Sequence, residues 1–118
     1  MKLNRHEIYE FDSFRVSTSG WSLEYNGKLL HVSRMQFLLL LAFLNQPKSF
    51  LTKASLLESL WPGTHSSRTL PVYVHSLNRI LSIGSHGKRL IQHVRGKGYI
   101  FVSTVKCSQE STLRQGLG

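Results

Sequence analysis

The stretch Leu90-Ile91-Gln92-His93-Val94-Arg95-Gly96-Lys97-Gly98-Tyr99-Ile100-Phe101 decides how the rest of the chain is read. Two short apolar runs, Leu90–Val94 and Tyr99–Val102, have strand character, and Arg95-Gly96-Lys97-Gly98 lies between them. Two glycines let the turn close tightly and leave the flanking cations Arg95 and Lys97 unshielded. A cation on a narrow protrusion suits the minor groove of DNA, where A·T tracts concentrate negative potential. A plain hairpin with solubilising charges would carry the same residues.

Working back along the chain, Arg68 to Leu81 reads as a helix. At 100° per residue Leu70, Val74, Leu77 and Leu81 fall in one narrow arc, the spacing of a core stripe. Arg68, Val72, His75, Ser76 and Arg79 fall on the other side, with no acid among them. Such a face fits a major groove and reaches base edges and phosphates, with Val72 suited to a thymine methyl. A solvated helix face shares this composition.

Before that helix, Thr52 caps Lys53–Leu60, and Trp61-Pro62-Gly63 ends it. Ser33 caps a helix that runs to about Gln46, stopped by Pro47. At the front, Phe11–Val16 reads as one strand, Ser17–Gly20 as a turn, and Trp21–Tyr25 as a strictly alternating strand. Asn26-Gly27 marks a two-residue hairpin, and Lys28–Val32 is the returning strand. Ile83–Gly87 reads as a turn region. Trp21, Phe11 and Phe14 are expected to pack the sheet, and Trp61 the core. Residues 1–105 form one expected domain, and residues 106–118 a loose polar tail.

Composition bounds the function. With 118 residues, 41 % hydrophobic and 18 % charged, the chain can bury one core. Fifteen Lys and Arg oppose six Asp and Glu, for a net charge of +9, which favours a polyanionic partner. The acids crowd the first quarter, and Glu58 is the sole one between Glu24 and Glu110. Cys107 is the only cysteine, so no intrachain disulfide forms. The N-terminus lacks the apolar core of a signal peptide. The longest apolar run, Met35–Leu44 broken by Gln36, is about half a membrane span. The six histidines lack metal-ligand spacing, and no catalytic constellation or phosphate loop can be defended. Neither enzyme, cofactor, metal site nor small-molecule substrate is expected.

Three stretches in this order resemble the effector domain of OmpR/PhoB-type winged-helix regulators: Arg34–Leu40, Leu51–Trp61 and Leu90–Phe101, the last close to the family's R-G-x-G-Y wing signature. The resemblance covers about Ile8 to Thr104, and the Asn26-Gly27-Lys28 hairpin also matches. It implies an α+β winged helix-turn-helix: a four-stranded N-terminal antiparallel sheet, three helices and a C-terminal β-hairpin wing. The third helix would enter the major groove of double-stranded DNA and the wing the minor groove. Arg68, Thr69, His75, Ser76 and Arg79 match recognition-helix positions, and Arg95 matches the wing arginine. The loop Pro62–Ser67, with Gly63, Thr64, His65 and Ser66, matches the segment that touches RNA polymerase in such regulators. A homodimer on repeated half-sites is also implied. Two features depart from the family. His75, Ser76 and Asn78 stand where members often carry arginines. Pro71 lacks an N–H and is tolerable only in a first turn, which suggests Thr69 as the N-cap.

The chain is too short to hold a receiver domain as well, so aspartyl phosphorylation is not the expected switch. The expected place is the cytoplasm, on nucleoid DNA. The alternatives are the DNA-binding part of a membrane-anchored ToxR-like regulator, with its span outside this chain, and a winged-helix protein-interaction module.

Overall fold

The computed structural model describes residues 7–63 and 68–109. The chain begins with two hairpins. Strands β1 (Glu7–Phe11) and β2 (Phe14–Ser17) flank Asp12 and Ser13, whose φ values are 44° and 67°. Strands β3 (Ser22–Tyr25) and β4 (Lys28–Leu30) flank Asn26 and Gly27, at 51° and 82°. Both turns have the doubly positive φ that a right-twisted two-residue hairpin demands. The single strand expected over Phe11–Val16 is therefore a hairpin end. Asp and Ser tolerate left-handed backbone, and Phe11 and Phe14 pair directly across the turn with ring centroids 5.2 Å apart.

Ser33 opens α1 (Arg34–Asn45) with a full capping box: Gln36 N donates to Ser33 Oγ at 3.2 Å, and Ser33 N donates to Gln36 Oε1 at 2.8 Å. Phe37, Leu39, Leu40, Leu41, Phe43 and Leu44 bury more than half of the circumference, which makes α1 the central helix. After the short strand β5 (Phe50–Leu51), Thr52 caps α2 (Lys53–Leu60), with Ser55 N donating to Thr52 Oγ1 at 3.0 Å. Helix α3 (Thr69–Ser85) follows. The wing comprises β6 (Ile91–Val94) and β7 (Gly98–Phe101). A last strand, β8 (Lys106–Gln109), closes the described chain.

Two antiparallel sheets result. One has five strands in the order β4-β3-β2-β1-β8, and the other three in the order β5-β7-β6. The N-terminal sheet thus gains a fifth strand from the far end of the chain. Lys106–Gln109, expected as the start of a loose tail, pairs with β1, with Tyr9 opposite Cys107. Its four residues are all exposed, so the pairing is made by backbone and leaves no apolar pattern to read. Residues 110–118 lie outside the described residues. Beneath the sheet the Tyr9 hydroxyl lies within hydrogen-bond reach of Glu7 and Asn45. Burial first, and the Glu7 carboxylate second, push this phenol well above its ordinary value.

Helix α3 starts at Thr69, with Arg68 as a helical-φ N-cap that makes no side-chain cap bond. Thr69 is therefore not the cap, although Pro71 does sit in the first turn. The helix also runs four residues beyond Leu81, through the supposed turn region, and ends at left-handed His86 (φ 56°). The reason is Gly84. A β-carbon there would overlap Tyr25 Cε1 and come 2.7 and 2.9 Å from Phe14 Cε2 and Cζ. This glycine lets the helix approach the sheet and does not break it. Leu70, Val74, Leu77 and Leu81 are buried in the core shared by α1, the sheet and the wing. Among the described residues no helix is long and apolar enough to cross a membrane.

Candidate nucleic-acid interface

Helix α3 and the wing lie side by side, and an open groove of about 620 Å³ runs between them. Pro71, His75 and Asn78 line it from α3, Gln92, His93 and Tyr99 from the wing. Lys53, at the start of α2, and Arg89, just before β6, add two cations. No acid occurs anywhere from residue 59 to residue 109, so the whole composite face is free of negative charge. The five-stranded sheet carries Glu7, Glu10 and Glu24, and Asp12 in its first turn. Its strands also carry Arg15, Lys28 and Lys106, so the sheet is near neutral while α3 and the wing are purely basic.

The outward face of α3 presents Arg68, Val72, His75 and Arg79, all exposed, with Val72 at 64 %. A large apolar side chain this open gains nothing from the core. Ser76 differs. It is half-buried, donates to Tyr73 O at 2.9 Å and accepts from Gln36 Nε2 at 3.0 Å. The expected base-reading hydroxyl is therefore occupied in a bridge to α1, because the helix wheel places Ser76 at the edge of the exposed arc where α1 crosses. Thr69 is half-buried at the first helical position. Asn78 is also engaged: its Nδ2 donates to Ile91 O at 2.9 Å, and its Oδ1 accepts from Ile91 N at 3.1 Å.

At the wing tip, Lys97 N donates to Val94 O at 2.9 Å, closing the turn around Gly96 (φ 80°). Arg95 and Lys97 are exposed, as the hairpin reading expects. Lys97 Nζ lies 5.4 Å from the centre of the Phe50 ring, a cation–π contact that ties the tip to β5. Gly98 has φ 111°, and a β-carbon there would overlap the Leu51 carbonyl oxygen. The second wing glycine thus permits β7 to lie directly on the start of α2. On the groove floor the His93 ring packs on Tyr99 at 4.7 Å, and burial holds the Tyr99 phenol above its ordinary value.

A family model for the C-terminal domain of transcriptional regulatory proteins matches residues 27–101. The chain belongs to this family, the OmpR/PhoB-type effector domains. Its members are DNA-binding transcription regulators. Among solved structures, the C-terminal domain of NsrR, a lantibiotic response regulator for nisin resistance, is 32 % identical (TM-score 0.62; 78 % of this chain and 93 % of that chain covered). The DNA-binding domain of Escherichia coli CadC is 17 % identical with a TM-score of 0.75, covering 86 % of this chain and 97 % of that chain. The Klebsiella pneumoniae RstA DNA-binding domain, solved with the RstA box, is 22 % identical with a TM-score of 0.70, covering 80 % and 96 %. A comparison with curated protein sequences finds no match.

In this OmpR/PhoB-type domain Arg68, Val72, His75 and Arg79 are exposed along α3, and Arg95 and Lys97 at the wing tip; of the six, His75 lines the groove between them. Of the expected polymerase loop, Gly63 sits beyond α2 with φ 85°, while Thr64, His65 and Ser66 lie outside the described residues. Trp61 caps α2 half-buried and packs against Tyr73 at 5.1 Å. Trp21 does not pack within the sheet. It stacks on Phe37 of α1 at 5.0 Å, with the Arg34 guanidinium 5.3 Å from its ring centre. Sequence reasoning missed Lys53, Arg89, Gln92 and His93, which enter the groove from three separate elements. The one signal that could have found them is the acid-free composition of the chain's second half.

Proposed function

We propose that this OmpR/PhoB-type domain docks on double-stranded DNA with α3 in the major groove and the wing in the minor groove. The observation that carries this reading is the groove between α3 and the wing, which is lined by Lys53 and Arg89 and by no acid. Val72 and His75 contact base edges, and Arg68, Thr69 and Arg79 fix the helix on the flanking phosphates. Lys53 and Arg89 hold the backbone between the two grooves. Arg95 enters the minor groove, and Lys97 adds charge beside it. The RstA domain, solved with its DNA box, supports this docking by its shared fold. In this reading the domain works in the cytoplasm, on nucleoid DNA. RNA polymerase contact through Gly63–Ser66 and pairing of two copies on repeated half-sites extend the same reading.

The test is selection of bound duplexes from a random pool at about 0.15 M salt, where weak electrostatic binding is partly screened. A convergent motif is expected: a lone half-site reports a monomer, a direct repeat a tandem pair. Tight binding at low salt with no convergence would overturn sequence readout by α3.

A further inference from the structure

The geometry points to Asn78 as a positioning residue that locks the wing to the recognition helix, so that minor-groove contact by Arg95 depends on it. This rests on the DNA-binding reading above. Strand β6 is the edge of the three-stranded sheet, with β7 on its other side. Ile91 pairs with Phe101 of β7 in register. Its N–H and C=O are both taken by the Asn78 amide, at 3.1 and 2.9 Å. A primary amide offers its carbonyl oxygen and one of its two N–H donors side by side in a plane, which matches the N–H and C=O that a single strand residue turns to one edge. Asn78 therefore pairs with β6 as a one-residue neighbouring strand, and the partner is not a strand but α3.

The place of this clamp gives it leverage. On the helix, Asn78 is one residue from Arg79 and one turn from His75, both on the exposed face. On the wing, Ile91 begins β6, and Arg95 follows immediately after its end. Four strand residues span roughly 13 Å, so a pivot of about 10° at Ile91 moves the arginine by about 2 Å. The other side of α3 has an equivalent tie, from Ser76 to Gln36, but that one leads to α1 and not to the wing. The far strand of the wing is held separately, by Lys97 over Phe50 and by the close approach of Gly98 to Leu51. Asn78 adds a directional hydrogen-bonded tie between this sheet and α3 to the apolar core that the two share. Two contacts on one rigid body bind with the second nearly pre-positioned, and a loose wing forfeits that gain.

The experiment is a double-mutant cycle on the full chain. Its probe is the duplex that the parent enriches from a random pool, with an A·T-rich flank. Affinities are measured for the parent, Asn78→Ala, Arg95→Ala and the double variant, at a temperature where circular dichroism shows all four folded. Arg95→Ala is expected to weaken the parent about ten-fold but Asn78→Ala only about two-fold. Gln36→Ala serves as the comparison, because it loosens α3 from α1 while leaving the effect of Arg95→Ala undiminished. If Asn78→Ala fails to fold, Asn78→Asp replaces it with the same expectation, since it keeps the acceptor for Ile91 N–H and loses the donor. An equal factor for Arg95→Ala in both backgrounds reduces Asn78 to a stabilising contact and overturns the inference. A parent that enriches no duplex overturns the DNA-binding reading itself, and this inference with it.

Discussion

Gly98→Ala and Gly96→Ala make a sharp pair, since the two residues share one turn and differ in what surrounds them. Both have positive φ, 80° at Gly96 and 111° at Gly98. A β-carbon at Gly96 meets nothing within 4 Å, so its substitution carries the backbone penalty alone, about 1–2 kcal/mol. At Gly98 the new carbon overlaps Leu51 O and comes 3.0 Å from both Leu51 C and Thr52 Cα. These are backbone atoms, and Thr52 is the cap of α2, so no side-chain rotation relieves the overlap. Adding an overpacking cost to the strain gives roughly 3–5 kcal/mol for Gly98→Ala, a large part of a small domain's stability. At about 4 °C per kcal/mol, the expected fall in Tm is about 12–20 °C, against about 4–8 °C for Gly96→Ala. Far-UV circular dichroism melts of the two variants beside the parent measure both. If the two variants melt within about 2 °C of each other, contact with β5 is not why residue 98 is glycine.

Gly84→Ala in α3 should destabilise by about 1–3 kcal/mol in urea titrations, because Tyr25 and Phe14 occupy the space of the new methyl. An ordinary helical Gly→Ala would stabilise by up to about 1 kcal/mol, and a gain here would refute the close packing. Neutralising about six phosphates predicts a slope near −5 for log affinity against log salt, and a slope close to zero would remove the electrostatic docking. The Tyr9 phenol is held above its ordinary value in the fold, so the native state keeps its proton longer than the unfolded chain does. The stability this provides is complete below about pH 10 and is lost as pH rises further. Tyr9→Phe should therefore flatten the alkaline fall in urea midpoints, and an unchanged fall would refute that role.

What the sequence disclosed, and what it hid, follows from how far each signal reaches. Ser33 and Thr52 act on backbone N–H groups three residues away, and Asn26-Gly27 fixes its own turn; each was legible because cause and effect are local. The stripe Leu70, Val74, Leu77, Leu81 was legible because a helix repeats its own geometry. Asp12-Ser13 concealed a hairpin inside an apparent strand, since neither residue demands left-handed backbone as glycine does. Gly84 and Ser76 were misread for another reason. Their roles are set by Tyr25, Phe14 and Gln36, which come from elements distant in the chain. Asn78 is the fullest case: its amide is matched to the N–H and C=O of Ile91, thirteen residues on, and no pattern within α3 announces it.

The pairing of β8 with β1 has a consequence for the order in which the protein is made. A ribosome delivers β1 first and β8 only when nearly all the described chain has emerged. Helices, hairpins and wing can each form as they appear, from contacts close in sequence. Until β8 arrives, the outer edge of β1 stays open, its N–H and C=O groups offered to any passing strand. The nascent domain is thus most prone to sticking to its neighbours just before it is finished, and the late strand ends that exposure.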